Sequence, residues 1–277
     1  AGGVMQINLL VGQQVASHFE KAVGWLYAAD RLYQLPLGVV GIAVGIVLLP
    51  DLSRRLKAQD DGGARNAFSR AGELSLALTV PAAVALVAIP LPMVSVLFER
   101  GATTASDSAA IATAVAIYGL GLPAFVLQKV LQPLYFARED TRSPFRFAVW
   151  AMVINAVVAI GLAPMIGWLA PAIATTLAGW VMVWQLARGA KAMGEVAHFD
   201  DRFRQRLWRI VTASLVMGAV LWGLNILLTP WLALPYLRLA VLAGLIGMGI
   251  ITYGIAGQAL GAFRLSEIKA MLKRSRA

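Results

Sequence analysis

Asp30 and Arg31 stand side by side inside the apolar run GWLYAADRLYQLPLGVVGIAVGIVLLP, residues 24–50. An ionised side chain at the centre of a bilayer costs roughly 2.5–3.5 kcal/mol even on lenient insertion scales. A membrane helix that keeps two needs a partner, water or a ligand for each. Tyr27, Arg31, Gln34 and Gly38 recur at i, i+4, i+7 and i+11, so they share one helical face. Gly41 and Gly45 extend that face as a groove of small residues, and Pro36 predicts a kink near mid-span. Arginine on such a face suits an anionic group such as phosphate. Its planar fork binds bidentately and stays charged. Asp30 is about 100° around the helix from Arg31, so the two do not simply pair. The bland alternative is that Arg31 snorkels about 12 Å to the outer surface and closes a structural salt bridge near Asp30.

Other polar residues in apolar surroundings carry two readings each. Lys129, flanked by Gln128 and Gln132, either snorkels to the inner surface or lines a cavity. Gln6, Gln13 and Ser17 share a face near the start, with Asn8 and Gln14 nearby. That face is either helix–helix glue or cavity lining. Asn155 and Asn225 are single polar residues in apolar spans, where interhelical hydrogen bonds are expected. Glu73 lies one turn past Arg70 and predicts a local ion pair.

The catalytic inventory is thin. There is no Cys, and the two His residues, His18 and His198, fall in loops or at helix ends. No paired His/carboxylate spacing, G-x-S-x-G or P-loop is present. No metal, no cofactor and no enzymatic activity are expected.

The elements that must position these residues are membrane helices. Of the chain, 59% is hydrophobic and 14% charged, against about 25% charged in soluble domains. Eight runs approach the roughly 20 apolar residues needed to cross a bilayer. They are expected near 3–18, 23–49, 72–98, 107–131, 145–165, 168–187, 208–228 and 236–260, with DDGGAR, ERGATTASDS, REDTRSP and LTPWLALP as turns between them. The fold class is all-α and polytopic. Alternation of the β-barrel kind is absent.

The 24 Lys and Arg residues are distributed unevenly over the connections. Nineteen lie in those after the second, fourth, sixth and eighth spans, and only Lys21, Arg100 and Arg238 lie in the others. The positive-inside rule then puts both ends of the chain in the cytoplasm. It also explains the net charge of +10 without nucleic acid. Anionic membrane lipids are the natural counter-charge. No signal peptide is expected at the start, which reads as a cut through a longer protein.

Two stretches resemble the MurJ/MviN family of bacterial lipid II flippases, within the multidrug/oligosaccharidyl-lipid/polysaccharide exporter superfamily. They are YAADRLYQLPLGVVGIAVGIVLLPDLSRRL, residues 27–56, and KVLQPLYFAREDTRSP, residues 129–144. The resemblance runs along the whole chain as the second half of a family member, helices seven to fourteen. It implies a six-helix transporter lobe over 1–190. A basic cytoplasmic loop, two additional helices and a basic tail would follow over 191–277.

It further implies flipping of lipid II, the undecaprenyl-diphosphate-linked disaccharide peptide, from inner to outer leaflet of the cytoplasmic membrane for peptidoglycan synthesis. An N-terminal lobe of the same protein would be the partner. The family's functional arginine in the ADRL motif corresponds to Arg31, beside Asp30. The candidate substrate-binding set is Arg31, Asp30, Gln34, Tyr27 and Lys129, with Gln6, Gln13 and Ser17 as cavity lining. The last two helices would form a groove for the lipid tail. This sequence departs from some relatives in having Gln34 where they have an acid. It also lacks the acids of a sodium site and has only Asn155 there, so sodium coupling is not expected. Two other readings stay open: export of another polyprenyl-linked glycan or a drug, and a non-transporting scaffold that binds cell-wall enzymes through its basic loops.

Overall fold

The computed structural model describes residues 12–44, 48–99, 103–232, 234 and 236–262. These form helices and short connections, with no strand among them. The α-helices are α1 (Ala22–Ala43), α2 (Leu49–Lys57), α3 (Asp61–Ala88), α4 (Pro90–Phe98), α5 (Ala105–Phe136), α6 (Arg142–Ile166), α7 (Ala170–Ala190), α8 (Asp201–Leu232) and α9 (Arg238–Ala259). Residues 12–16 are also helical. The predicted first span, 3–18, lies mostly outside the described residues.

Local chemistry sets the boundaries. DDGGAR was expected to be a turn but forms the start of α3. Asp60 accepts the Gly63 N–H at 2.8 Å, and Asp61 lies in the first turn near the positive end of the helix dipole. The predicted span 72–98 is two helices. The backbone leaves helical geometry at Ile89 (φ −132°), and Pro90, which has no N–H to donate, starts α4. Thr104 and Asp107 form a capping box that starts α5. Gly167 (φ 62°) turns the chain between α6 and α7, and Gly194 (φ 80°) does so between α7 and α8. At the start of α6, Asp140 accepts the Ser143 N–H at 2.9 Å. Those hydrogen bonds from Ser143 hold the Asp140 carboxyl below the usual carboxylate range.

Helix α5 is the axis of the packing. It lies against α7, α3, α1 and α4, and α6 packs on the far side of α7. Leu52, Phe68, Val126, Leu134, Tyr135 and Leu186 form one buried cluster around it, and Leu26, Leu86, Val94, Ile111 and Leu122 belong to another. Helix α8 packs on α3 and α9. Met217 and Leu221 of α8 meet Ile89 and Leu245 in a third cluster.

Among the described residues, five helical stretches are long and apolar enough to cross a membrane: 61–88, 105–136, 142–193, 195–232 and 238–259, of which 142–193 holds both α6 and α7. The chain is a multi-pass, all-α membrane protein.

Charge is gathered at one end of the bundle. Arg65 on α3 donates to the His198 carbonyl at 3.2 Å, and Arg138 after α5 donates to the Met193 carbonyl at 3.2 Å. Arg70 of α3 pairs with Asp200 at the start of α8. The other end holds Lys21 against Asp107 at 3.4 Å, and Arg238 against the Glu99 carbonyl at 3.4 Å.

Candidate functional site

Helix α1 presents the predicted face. Tyr27 is 55% exposed, and Arg31, Gln34 and Gly38 are exposed with it. A side chain added at Gly38 or Gly41 would meet nothing within 4 Å. The opposite side of α1 is buried through Leu26, Ala29 and Leu32. Tyr33 holds the helix to α5, with its ring centroid 5.1 Å from Tyr118 and 5.5 Å from Phe125. Pro36 lies within the helix, as expected.

The charges are partnered along the helix, one turn away. Arg31 donates from Nη2 to the Tyr27 hydroxyl, and its guanidinium carbon lies 4.7 Å from the centre of the Tyr27 ring. Gln34 donates from Nε2 to Asp30 Oδ2, and the Tyr33 hydroxyl also interacts with the Asp30 carboxyl. Asp30 and Arg31 therefore point to different partners, as their angular separation predicts. Arg31 closes no salt bridge with a described acid. A guanidinium carries five N–H donors, so most of its fork remains open to an anion.

Lys129 is also exposed, but on a different face. It follows Tyr118 and Phe125 at i+11 and i+4 along α5, on the side that meets Tyr33. Arg31 is two residues from Tyr33, about 200° around α1. The structure thus brings Arg31, Tyr27 and Gln34 together with Asp30 beside them, and leaves Lys129 apart. Gln13 is exposed in the helical residues 12–16. Ser17 lies beyond that helical stretch, where its hydroxyl donates to the Gln14 carbonyl at 2.7 Å. Gln6, Asn8 and Gly45 lie outside the described residues.

Asn155 makes the expected interhelical bond, donating to Thr175 Oγ1 at 3.0 Å. Asn225 does not do so among the described residues, and its carbonyl accepts the Thr229 hydroxyl at 2.8 Å within α8. Glu73 exceeds the local pair expected for it. It binds Arg70 on its own helix and Arg206 on α8, with Arg202 3.8 Å away. Sequence reasoning missed this network, because its members are up to 133 residues apart. It also missed Asp107, 6% exposed, which accepts the Trp25 indole N–H at 3.0 Å. The spacing of Thr104 and Asp107 signals the cap but not the indole.

The family model described as "Lipid II flippase MurJ" matches residues 1–272. This chain belongs to that family. A probable lipid II flippase MurJ of Rhizobium tropici is 41% identical over 99% of the chain and 52% of its own length. One from Vibrio cholerae is 38% identical over 96% of the chain and 51% of its own length. A solved structure of lipid II flippase MurJ in an inward closed conformation superposes with a TM-score of 0.77 at 26% identity, covering 92% of this chain and 51% of the other. The chain spans about half the length of these family members.

Proposed function

We propose that this chain supplies half of the membrane path of a lipid II flippase. The protein moves the diphosphate-linked precursor from the inner to the outer leaflet of the bacterial cytoplasmic membrane by alternating access. The reading is of transport, without covalent chemistry. The observation that carries it is Arg31: an exposed guanidinium on an apolar helix, stacked on Tyr27, beside open glycine surface, and in no salt bridge with a described acid. In this reading Arg31 receives the diphosphate and Tyr27 holds its fork. Gln34 and Asp30 shape the neighbouring surface. Lys129 contributes a second cation on another face, with Gln13 in the cavity wall.

In the same reading the chain divides near residue 190. Residues 1–190 form the second transporter lobe. Residues 191–277 add the basic loop, the α8–α9 pair and the basic tail. The exposed Ile226, Leu227, Ile250 and Ile255 of that pair give a polyprenyl tail an apolar flank. The basic end of the bundle faces the cytoplasm, in keeping with the positive-inside rule.

The test uses the full-length protein and measures lipid II externalised per folded molecule. Arg31→Ala should lower it at least about tenfold, the loss of one charge-assisted partner. Arg31→Lys keeps the charge without the fork and should recover part of it. Normal transport per molecule by Arg31→Ala would remove Arg31 from the path.

A further inference from the structure

We propose that Asp107 is a positioning residue for the substrate-facing side of α1, acting through Trp25. The inference rests on the reading of Arg31 above and names the device that aims it. Asp107 divides its two oxygens between two helices. Oδ2 stays with its own helix, accepting the Thr104 N–H at 3.0 Å and the Thr104 hydroxyl at 2.8 Å. Oδ1 crosses to α1, where it accepts the Trp25 indole N–H at 3.0 Å and Lys21 Nζ at 3.4 Å. The carboxylate is thus held rigidly by its cap and presents one fixed acceptor to the neighbouring helix.

The Trp25 ring is gripped on a second side. Trp168, in the turn between α6 and α7, meets it edge-on at 5.0 Å and 66°. Phe19 closes on Gly167 of the same turn. Three elements therefore converge on the start of α1. A side chain held from two directions cannot roll, so the rotation of α1 about its axis is set at Trp25. Arg31 follows six residues later, about 120° around the helix. The grip on Trp25 thereby turns Arg31 and Gln34 away from the bundle, and Tyr33 against α5 sets the same angle lower down. Losing the indole bond removes one of the two grips on Trp25, so the rotational setting of α1 loosens and Arg31 can turn off the path.

The experiment uses the full-length protein with Asp107→Asn, Trp25→Phe and the double variant, each compared per folded molecule. Asn keeps one acceptor and cannot serve both helices. Phe keeps the ring against Trp168 and leaves the α5 cap untouched, so it tests the indole bond even where the Asn variant folds poorly. Each single variant should lower lipid II transport about tenfold, the scale of one hydrogen bond to a charged group. Each should also slow thiol labelling of a cysteine at position 34 in an otherwise cysteine-free protein. The double variant should be no worse than either single one, because one contact is lost in all three. A purely structural role lowers thermal stability and leaves transport and labelling per folded molecule unchanged, and that result overturns the proposal. Additive losses overturn it too. Arg31→Ala, run in parallel, separates the two readings. If it transports normally, the site itself is wrong. If it fails while Trp25→Phe transports normally, only the role of Asp107 is wrong.

Discussion

Arg31 lies over the ring of Tyr27, one turn earlier on α1, and donates to the hydroxyl of that same residue. One aromatic side chain supplies both a π face and an acceptor to one cation. The two contributions separate by mutation. Tyr27→Phe keeps the face, worth about 0.5–1 kcal/mol at an exposed site, and removes only the hydroxyl. It should transport within a few-fold of the natural protein. Tyr27→Ala frees the guanidinium and should lose substantially more. Equal transport by the two variants would show that the ring does not hold Arg31.

Glu73 is 8% exposed and ringed by arginines from α3 and α8. Removing a buried carboxylate from such a cluster leaves like charges facing one another, at a cost of about 3 kcal/mol or more. Glu73→Gln should therefore lower the melting temperature in detergent by several degrees, and proteolysis should first reach the junction of α7 and α8. An unchanged melting curve would mean that the network is replaced by water without loss.

The uneven placement of Lys and Arg gives a topological expectation. Cysteines at positions 142 and 204 should resist an impermeant thiol reagent added outside intact cells. One at position 104, beside Asp107 at the other end of the bundle, should react. Labelling at 142 or 204 would invert the assigned orientation.

Asp140 caps the first turn of α6, and its carboxyl is held low by Ser143. A depressed folded-state value means that the stabilisation is complete above the ordinary carboxylate range near 3.8. It is then lost as pH falls through the lower folded value. Asp140→Ala should cost about 1 kcal/mol at neutral pH. The gap between variant and natural protein should close below pH 3.8. A gap that persists in acid would assign the loss to packing instead.

The helical faces were legible because period 3.6 is carried by local residues. Tyr27, Arg31, Gln34 and Gly38 could be placed on one side of α1 from spacing alone. The break at Ile89 was missed because AIPLPM is apolar throughout, although Pro90 and Pro92 carry the local signal for a new helix start. The glycines at 62 and 63 suggested a turn, and capping by Asp60 outweighed them. What joins distant elements was the least readable. Nothing near Glu73 announces Arg206, and nothing near Asp107 announces Trp25. Spacing put Tyr27 on the face of Arg31, and the structure adds that the arginine rests on its ring.

Gly72 of α3 lies under the stacked rings of Phe199 and Phe203, which are 3.9 Å apart and continue onto Phe68 at 4.5 Å. A Cβ there would come within 2.7 Å of Phe199, whereas one at Gly24, Gly38 or Gly41 would meet nothing. The glycines of this chain thus divide by evolutionary freedom. Those on the open face of α1 can drift to alanine without a clash, and any constraint on them must come from what passes by. Gly72 is constrained by the fold itself: a saturation library selected for growth should be depleted of every replacement there, whatever substrate the protein carries.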